Sequence, residues 1–167
     1  MNPIGSFITR GQAPAVSAAG AMIRGGMPQA LLLVGPPSVG KTTLGLDIAA
    51  AILCAAEDPT ARPCRECRGC RLVANGNHPD LHRLAPEGPG GQIGVEQVRG
   101  LIEEISLLPM EGAERVVLVE AAHRMNEDAQ NILLKTLEEP PPGLTIMLAA
   151  DEDDLLLPTV RSRAARI

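Results

Sequence analysis

The stretch LLLVGPPSVGKTT at residues 31–43 constrains this chain more than any other. A short apolar run ends at a glycine, and a GxxxxGK[ST] loop comes at once after it. Residues 31–34 read as a buried strand, and residues 42–53 as the helix that should come next. Gly35 and Gly40 let the backbone turn where a side chain would obstruct it. The loop's N–H groups and the positive end of the helix together suit a phosphate. The candidate binding set is Gly35, Pro36, Pro37, Ser38, Val39, Gly40, Lys41, Thr42 and Thr43. Lys41 offers a mobile cation to the outer phosphates, and Thr42 a hydroxyl for Mg²⁺. ATP or ADP with Mg²⁺ is the expected ligand.

The rest of the chain fits an α/β fold with a parallel sheet. Gln12 to Arg24 reads as a helix with Val16, Ala19 and Ile23 near one face, ended by Gly25, Gly26 and Pro28. Met1 to Thr9 shows no period and reads as a loose end. After the loop, Leu44, Ile48, Ala51 and Ile52 recur at helical spacing. Residues 81–84 form a short strand, and 86–94 a glycine-rich loop. Val95, Val98, Leu101, Ile102 and Ile105 mark an amphipathic helix closed by Pro109. RVVLV at 115–119 is a buried strand. A helix over 126–138 carries Ala129, Ile132, Leu133 and Leu137 on one face, and 144–149 is the next strand. Residues 155–157 begin a short helix or turn, and 164–167 supply a last strand. Strands alternating with helices in this way predict five parallel strands flanked by helices.

Charge and composition narrow the partners. At 167 residues the chain holds one core, and its formal net charge of −5 argues against strong nucleic-acid binding by this chain alone. It has one Phe and neither Tyr nor Trp, and its 17 Gly and 15 Pro cluster at element boundaries. There is no run of apolar residues long enough to span a membrane. The apolar stretch after Arg10 is broken by Pro14 and Ser17, so a cytoplasmic location without a membrane is expected.

All four cysteines fall between residues 54 and 70, in the pattern C-x9-C-x2-C-x2-C: Cys54, Cys64, Cys67 and Cys70. Two overlapping CxxC units without an export signal favour a metal over a disulfide framework. Four thiolates give Zn²⁺ a closed structural site with no open position. Redox-active CxxC pairs and an iron–sulfur cluster are the alternatives. Arg62, Arg65, Arg68 and Arg71 are placed either to offset the site's negative charge or to sit in solvent. The module, about 54–80, reads as an insertion within a single core domain of residues 1–167. His78 is not needed as a fifth ligand; NGNHPD reads as a turn into the next strand.

Glu120 stands at the carboxyl end of RVVLV, where P-loop proteins carry the acid that positions Mg²⁺ or its waters. The next position, where a water-activating glutamate is useful, is Ala121. An alanine cannot accept a proton, so weak or absent hydrolysis is expected. His123 either contacts the active side of the sheet or packs and caps. At the end of the following strand Ala150 has no group to sense a terminal phosphate, and Asp151 is a weak substitute.

GPPSVGKTT, the cysteine insertion, HPD at 78–80, LAPEG at 84–88, LLKTLEEPPP at 133–142 and the pair Ser162–Arg163 occur in that order. This chain resembles the AAA+ module of bacterial DNA polymerase III clamp-loader subunits, on the delta-prime branch, with gamma/tau as the near neighbour. The resemblance runs from about residue 11 onward. It implies a P-loop AAA+ core without the helical lid and collar that family members carry further on. It also implies gamma/tau and delta subunits as partners, with the sliding clamp and primer-template DNA reached through the assembled complex. Without a collar the isolated chain is expected to be monomeric or weakly associating. The DE pair of active members appears here as Glu120–Ala121, their threonine sensor as Ala150, and their SRC signature as Ser162-Arg163-Ala164. These changes favour a non-hydrolysing subunit whose Arg163 acts in trans as an arginine finger on a neighbour's γ-phosphate. An active gamma/tau-like ATPase and a stand-alone zinc-stabilised nucleotide-binding protein are the competing readings.

Overall fold

In a computed structural model, which describes residues 6–167, the chain forms a five-stranded parallel sheet with helices on both faces. The elements are α1 (Ala13–Gly25), β1 (Ala30–Val34), α2 (Lys41–Ile52), α3 (Arg68–Ala74), β2 (Leu81–Leu84), α4 (Val95–Ser106), β3 (Arg115–Val119), α5 (Glu127–Glu138), β4 (Leu144–Ala150), α6 (Pro158–Arg161) and β5 (Ala165–Arg166). Strand order is β2-β3-β4-β1-β5. The β1–β4 register sets Val34 beside Ala150. That puts the start of the phosphate loop next to Asp151.

Side-chain alternation along the strands divides the core in two. Leu32, Val117, Val119, Ile146 and Leu148 meet α4 and α5 through Val98, Leu101, Ile105 and Leu133. Leu31, Leu33, Val116, Leu118 and Met147 face the other way, onto Ile48, Ala49 and Ala50 of α2. The small alanines let α2 lie close to the sheet. Asn126 caps α5 by accepting from the Ala129 N–H at 2.8 Å.

Two expectations are corrected, and one element was not anticipated. Residues 6–9 are not a loose end: Phe7 is 3% exposed, and Thr9 is pinned to α2. Residues 1–5 lie outside the described residues. The cysteine module contains a helix of its own, α3, which its short, arginine-rich sequence hid. The short turn near residue 155 begins earlier, as a 3-10 turn at Asp153–Leu155, and α6 comes after it.

α6 and the segment behind it are fixed by a residue the periodicity did not single out. Buried Gln130 of α5 donates to the Met125 and Leu155 carbonyls at 3.1 and 3.2 Å. Its carbonyl oxygen accepts from the Leu157 N–H at 2.7 Å.

Candidate functional site

Two sites sit at opposite ends of α2. At its amino end the chain leaves β1 and wraps into the loop. Ser38 and Gly40 take left-handed backbone conformations, φ 62° and 103°. Gly40 then sits at the N-cap, and the first helical N–H groups have no intrahelical acceptor. A cleft of about 450 Å³ opens there, walled by Ser38, Lys41, Thr42, Glu120, Ala121 and Asp151. The structure brings Ser38, Gly40, Lys41, Thr42 and Thr43 around one space with Glu120 and Ala121, while Gly35, Pro36 and Pro37 line a neighbouring cleft with His123 and Asp151.

The charges in that cleft have partners that spacing alone does not reveal. The Lys41 ammonium donates to the Gly35 and Pro36 carbonyls, each at 2.7 Å. Its third contact is Asp151 Oδ1 at 2.8 Å. That hydrogen bond, from Lys41, holds the Asp151 carboxyl below the usual carboxylate range. His123 meets the same residue through both ring nitrogens: its Nδ1 accepts from the Asp151 N–H at 3.2 Å, and its Nε2 lies 3.5 Å from Asp151 Oδ2. His123 thus faces the active side of the sheet. Glu120 is held by Arg83 of β2, whose Nε donates to it at 2.7 Å.

Arg163 stands outside the cleft. Its guanidinium reaches Glu138 Oε1 at 2.9 Å and donates to the Thr159 carbonyl at 2.9 Å. The residue is exposed, and the Ser162 hydroxyl donates to the same carbonyl at 3.1 Å.

At the carboxyl end of α2 the four cysteine sulfurs gather within 4.8 Å of one another. Cys54 and Cys67 Sγ are 4.0 Å apart. A tetrahedral zinc with bonds of about 2.3 Å needs sulfurs roughly 3.8 Å apart, so the set is close to that shape. Backbone N–H groups already point at the sulfurs. Ala56 and Cys64 donate to Cys54 at 3.4 Å, Cys67 to Cys64 at 3.4 Å, and Ala55 and Cys70 to Cys67 at 3.5 and 3.4 Å. Burial pushes the Cys67 thiol up, but the N–H groups of Ala55 and Cys70 outweigh it and bring it down to about 6. The N–H groups of Cys67 and Glu66 lower Cys64, while burial raises Cys54 and Cys70. Four sulfurs with no open position fit a structural Zn²⁺, which Cys54, Cys64, Cys67 and Cys70 would hold.

Gly69 makes the cluster possible. A Cβ there would lie 2.3 Å from the Leu53 carbonyl oxygen, so only glycine lets α3 approach the end of α2 and bring Cys70 to Cys54. The arginines of the module are largely engaged elsewhere. Arg62 donates to the Ala56 carbonyl at 2.6 Å, Arg65 to the Ser6 carbonyl at 2.7 Å and to Asp47, and Arg68 pairs with Glu111 at 2.6 Å. His78 is buried, its Nδ1 accepts from the Asp80 N–H at 3.1 Å, and burial lowers its pKa. Asp80 in turn accepts from the Met110 and Glu111 N–H groups at 2.7 and 2.8 Å. The HPD turn is therefore a clamp on the loop before β3.

Between the two sites lies Asp47, fully buried on α2. It accepts from the Ile8 and Thr9 N–H groups at 3.2 and 2.9 Å, from the Thr9 hydroxyl, and from Arg65. One acid in an alanine-rich helix was the only sequence sign of this tie.

A P-loop sequence opening a parallel five-stranded sheet, with a four-cysteine cluster behind the loop's helix, is the AAA+-related clamp-loader fold. The family model described as "DNA polymerase III, delta subunit" matches residues 16–167, and the chain belongs to that family. It is 41% identical over 137 residues to the DNA polymerase III subunit delta' of Pseudomonas aeruginosa, covering 82% of this chain and 42% of that protein. It is 34% identical over 143 residues to the subunit gamma/tau of Mycobacterium bovis, covering 86% of this chain and 24% of that protein. The chain thus spans well under half the length of these relatives. A crystal structure of a gamma-subunit-related protein from Thermotoga maritima shares the fold with a TM-score of 0.61 at 21% identity, over 90% of this chain and 44% of that one. Among the described residues no helix is long and apolar enough to cross a membrane.

Proposed function

We propose that this chain is the nucleotide-binding core of a delta-prime-type clamp-loader subunit. It binds ATP or ADP with Mg²⁺ in the loop of residues 35–43, does not hydrolyse it, and lends Arg163 to the neighbouring gamma/tau subunit. The four cysteines hold one structural zinc. Delta and gamma/tau subunits are its partners, and the sliding clamp and primer-template DNA are met through the assembled complex.

The observation that carries the reading is the makeup of the cleft beside Thr42. Its only acid in the metal-positioning place, Glu120, is tied to Arg83, and a methyl group stands next to it at Ala121. No group at that position can take a proton from an attacking water. Arg163 lies on the exposed side of the segment fixed by Gln130, away from its own cleft. A guanidinium placed there suits phosphoryl oxygens presented by another subunit.

The intact Lys41–Thr42 pair and the likeness to gamma/tau keep an active ATPase as the second reading. Reconstitution with the partner subunits separates them. Arg163→Ala is expected to lower the complex's ATP turnover by about 10³-fold, in the range of other trans-acting arginines. Lys41→Ala is expected to leave turnover nearly unchanged. Turnover that survives loss of Arg163 and falls with loss of Lys41 would establish the second reading instead.

A further inference from the structure

Asp151 is the unexpected wall of the loop. An ammonium has three N–H donors. Those of Lys41 meet Gly35 O, Pro36 O and Asp151 Oδ1, at 2.7, 2.7 and 2.8 Å. The two carbonyls belong to the loop itself, so the carboxylate is the one anion among these partners. It takes a donor that a phosphate-loop lysine otherwise offers to an outer phosphate oxygen.

The room beside Lys41 is unequal. On the α1 side Gln12, Ala15, Val39 and Ile167 line a hollow of only about 50 Å³. The cleft of about 450 Å³ lies on the side of Thr42, Glu120, Ala121 and Asp151, so phosphates held by Lys41 would lie beside the acid. The groups facing Asp151 are Lys41 from α2 and His123 and Arg124 from the turn after β3. His123 accepts from the Asp151 N–H and lies 3.5 Å from its second oxygen, which keeps residue 151 on this side of the loop when Lys41 turns to a ligand.

We infer that Asp151 is a specificity-determining residue, an internal anion that sets the loop against the terminal phosphate of a nucleoside triphosphate and leaves it selective for a diphosphate. The inference rests on the reading of residues 35–43 as a nucleotide site. A diphosphate ends at the lysine and needs only to share it. A third phosphate adds negative charge next to a carboxylate that ionises below the usual range and has His123 to keep it in place. Like charges this close in a half-buried cleft repel strongly.

The test is calorimetric titration of the 167-residue chain with MgADP and with MgATP, at fixed ionic strength, for the wild type, Asp151→Asn and Glu152→Gln. Asp151 is partly exposed, so the amide is accommodated, and a thermal melt verifies folding. The wild type is expected to prefer MgADP. Asp151→Asn should tighten MgATP by about tenfold while MgADP changes by less than about threefold. Glu152→Gln, which removes a neighbouring exposed charge, should move both nucleotides equally and little. Equal changes for the two nucleotides in Asp151→Asn, or an ATP gain as large in Glu152→Gln, would overturn the inference and leave the nucleotide site standing. Failure of every variant to bind either nucleotide would overturn both.

Discussion

Helix α2 carries a different kind of site at each end. At its carboxyl end the ligand set is closed. Four sulfurs come from 17 residues of chain, and backbone N–H groups supply most of the surrounding polarity. At its amino end the set is open. The loop gives the cradle, but the groups that decide its chemistry arrive from β2, β3 and β4 as Arg83, Glu120 and Asp151. A closed local set can do one thing, which is to hold an ion and stiffen the chain. An open set assembled across a sheet can lose its chemistry piece by piece while its shape persists. Under the proposed function Ala121 and Ala150 are such losses, and Asp151 is an addition.

The contrast predicts that damage at the cysteine end is read as instability and damage at the loop end as altered binding. The largest effect is expected from Cys67→Ala, because Cys67 Sγ receives two backbone N–H groups and touches Cys54. Loss of one zinc per chain should accompany it, measured by metal analysis. Stability should fall by more than about 4 kcal/mol, which lowers the thermal midpoint of a chain this size by roughly 8–16 °C. A wild-type protein that carries no metal after preparation under reducing conditions, and melts like the variant, would collapse the contrast at its stronger end.

Asp47 lies between the two ends and ties the segment before α1 to the cysteine module, so Asp47→Ala comes next. It would leave Arg65 without its acid and the Thr9 N–H and hydroxyl without an acceptor. A loss of about 2–4 kcal/mol is expected in denaturant titration, together with weaker zinc retention, since Arg65 belongs to the cysteine module. An effect on stability without one on zinc would mean that the Asp47–Arg65 pair does not support the cysteine site.

How much of this could be read beforehand falls along the same division. The cysteine site was legible because its determinants are local: spacing fixes which sulfurs can meet. The sheet was legible for a related reason, since RVVLV and ALLLV announce strands buried on both faces. The helix α3 was not, because a short segment that buries only Cys70 and Val73 carries too little periodic signal. At the loop, GPPSVGKTT marked where a phosphate cradle is expected, and Glu120 and Ala121 line the same cleft as Lys41 and Thr42. The Lys41–Asp151 and Arg83–Glu120 pairs were out of reach. They depend on strand register, which brings residues 110 and 37 positions apart into contact. Asp47 and Asp80 were hidden for another reason. Each is a buried acid satisfied by backbone N–H groups, and no pattern in sequence marks which acid a fold will enclose.

Lys41→Ala gives the smallest change in stability and so tests the other end of the contrast. The side chain lies at the mouth of a cleft, and the groups it leaves are the Gly35 and Pro36 carbonyls and an Asp151 carboxylate still held by His123. Each of these can turn to water, which makes the removal of the ammonium a small perturbation compared with opening the core. A loss of about 1–2 kcal/mol is expected, well below that of Cys67→Ala. Nucleotide affinity should nonetheless fall by more than about tenfold, since a charge-assisted contact to phosphate has no substitute among the loop's N–H groups. If the variant instead melts as early as Cys67→Ala, the loop is a structural element rather than a binding one. The two ends of α2 would then differ in composition but not in kind.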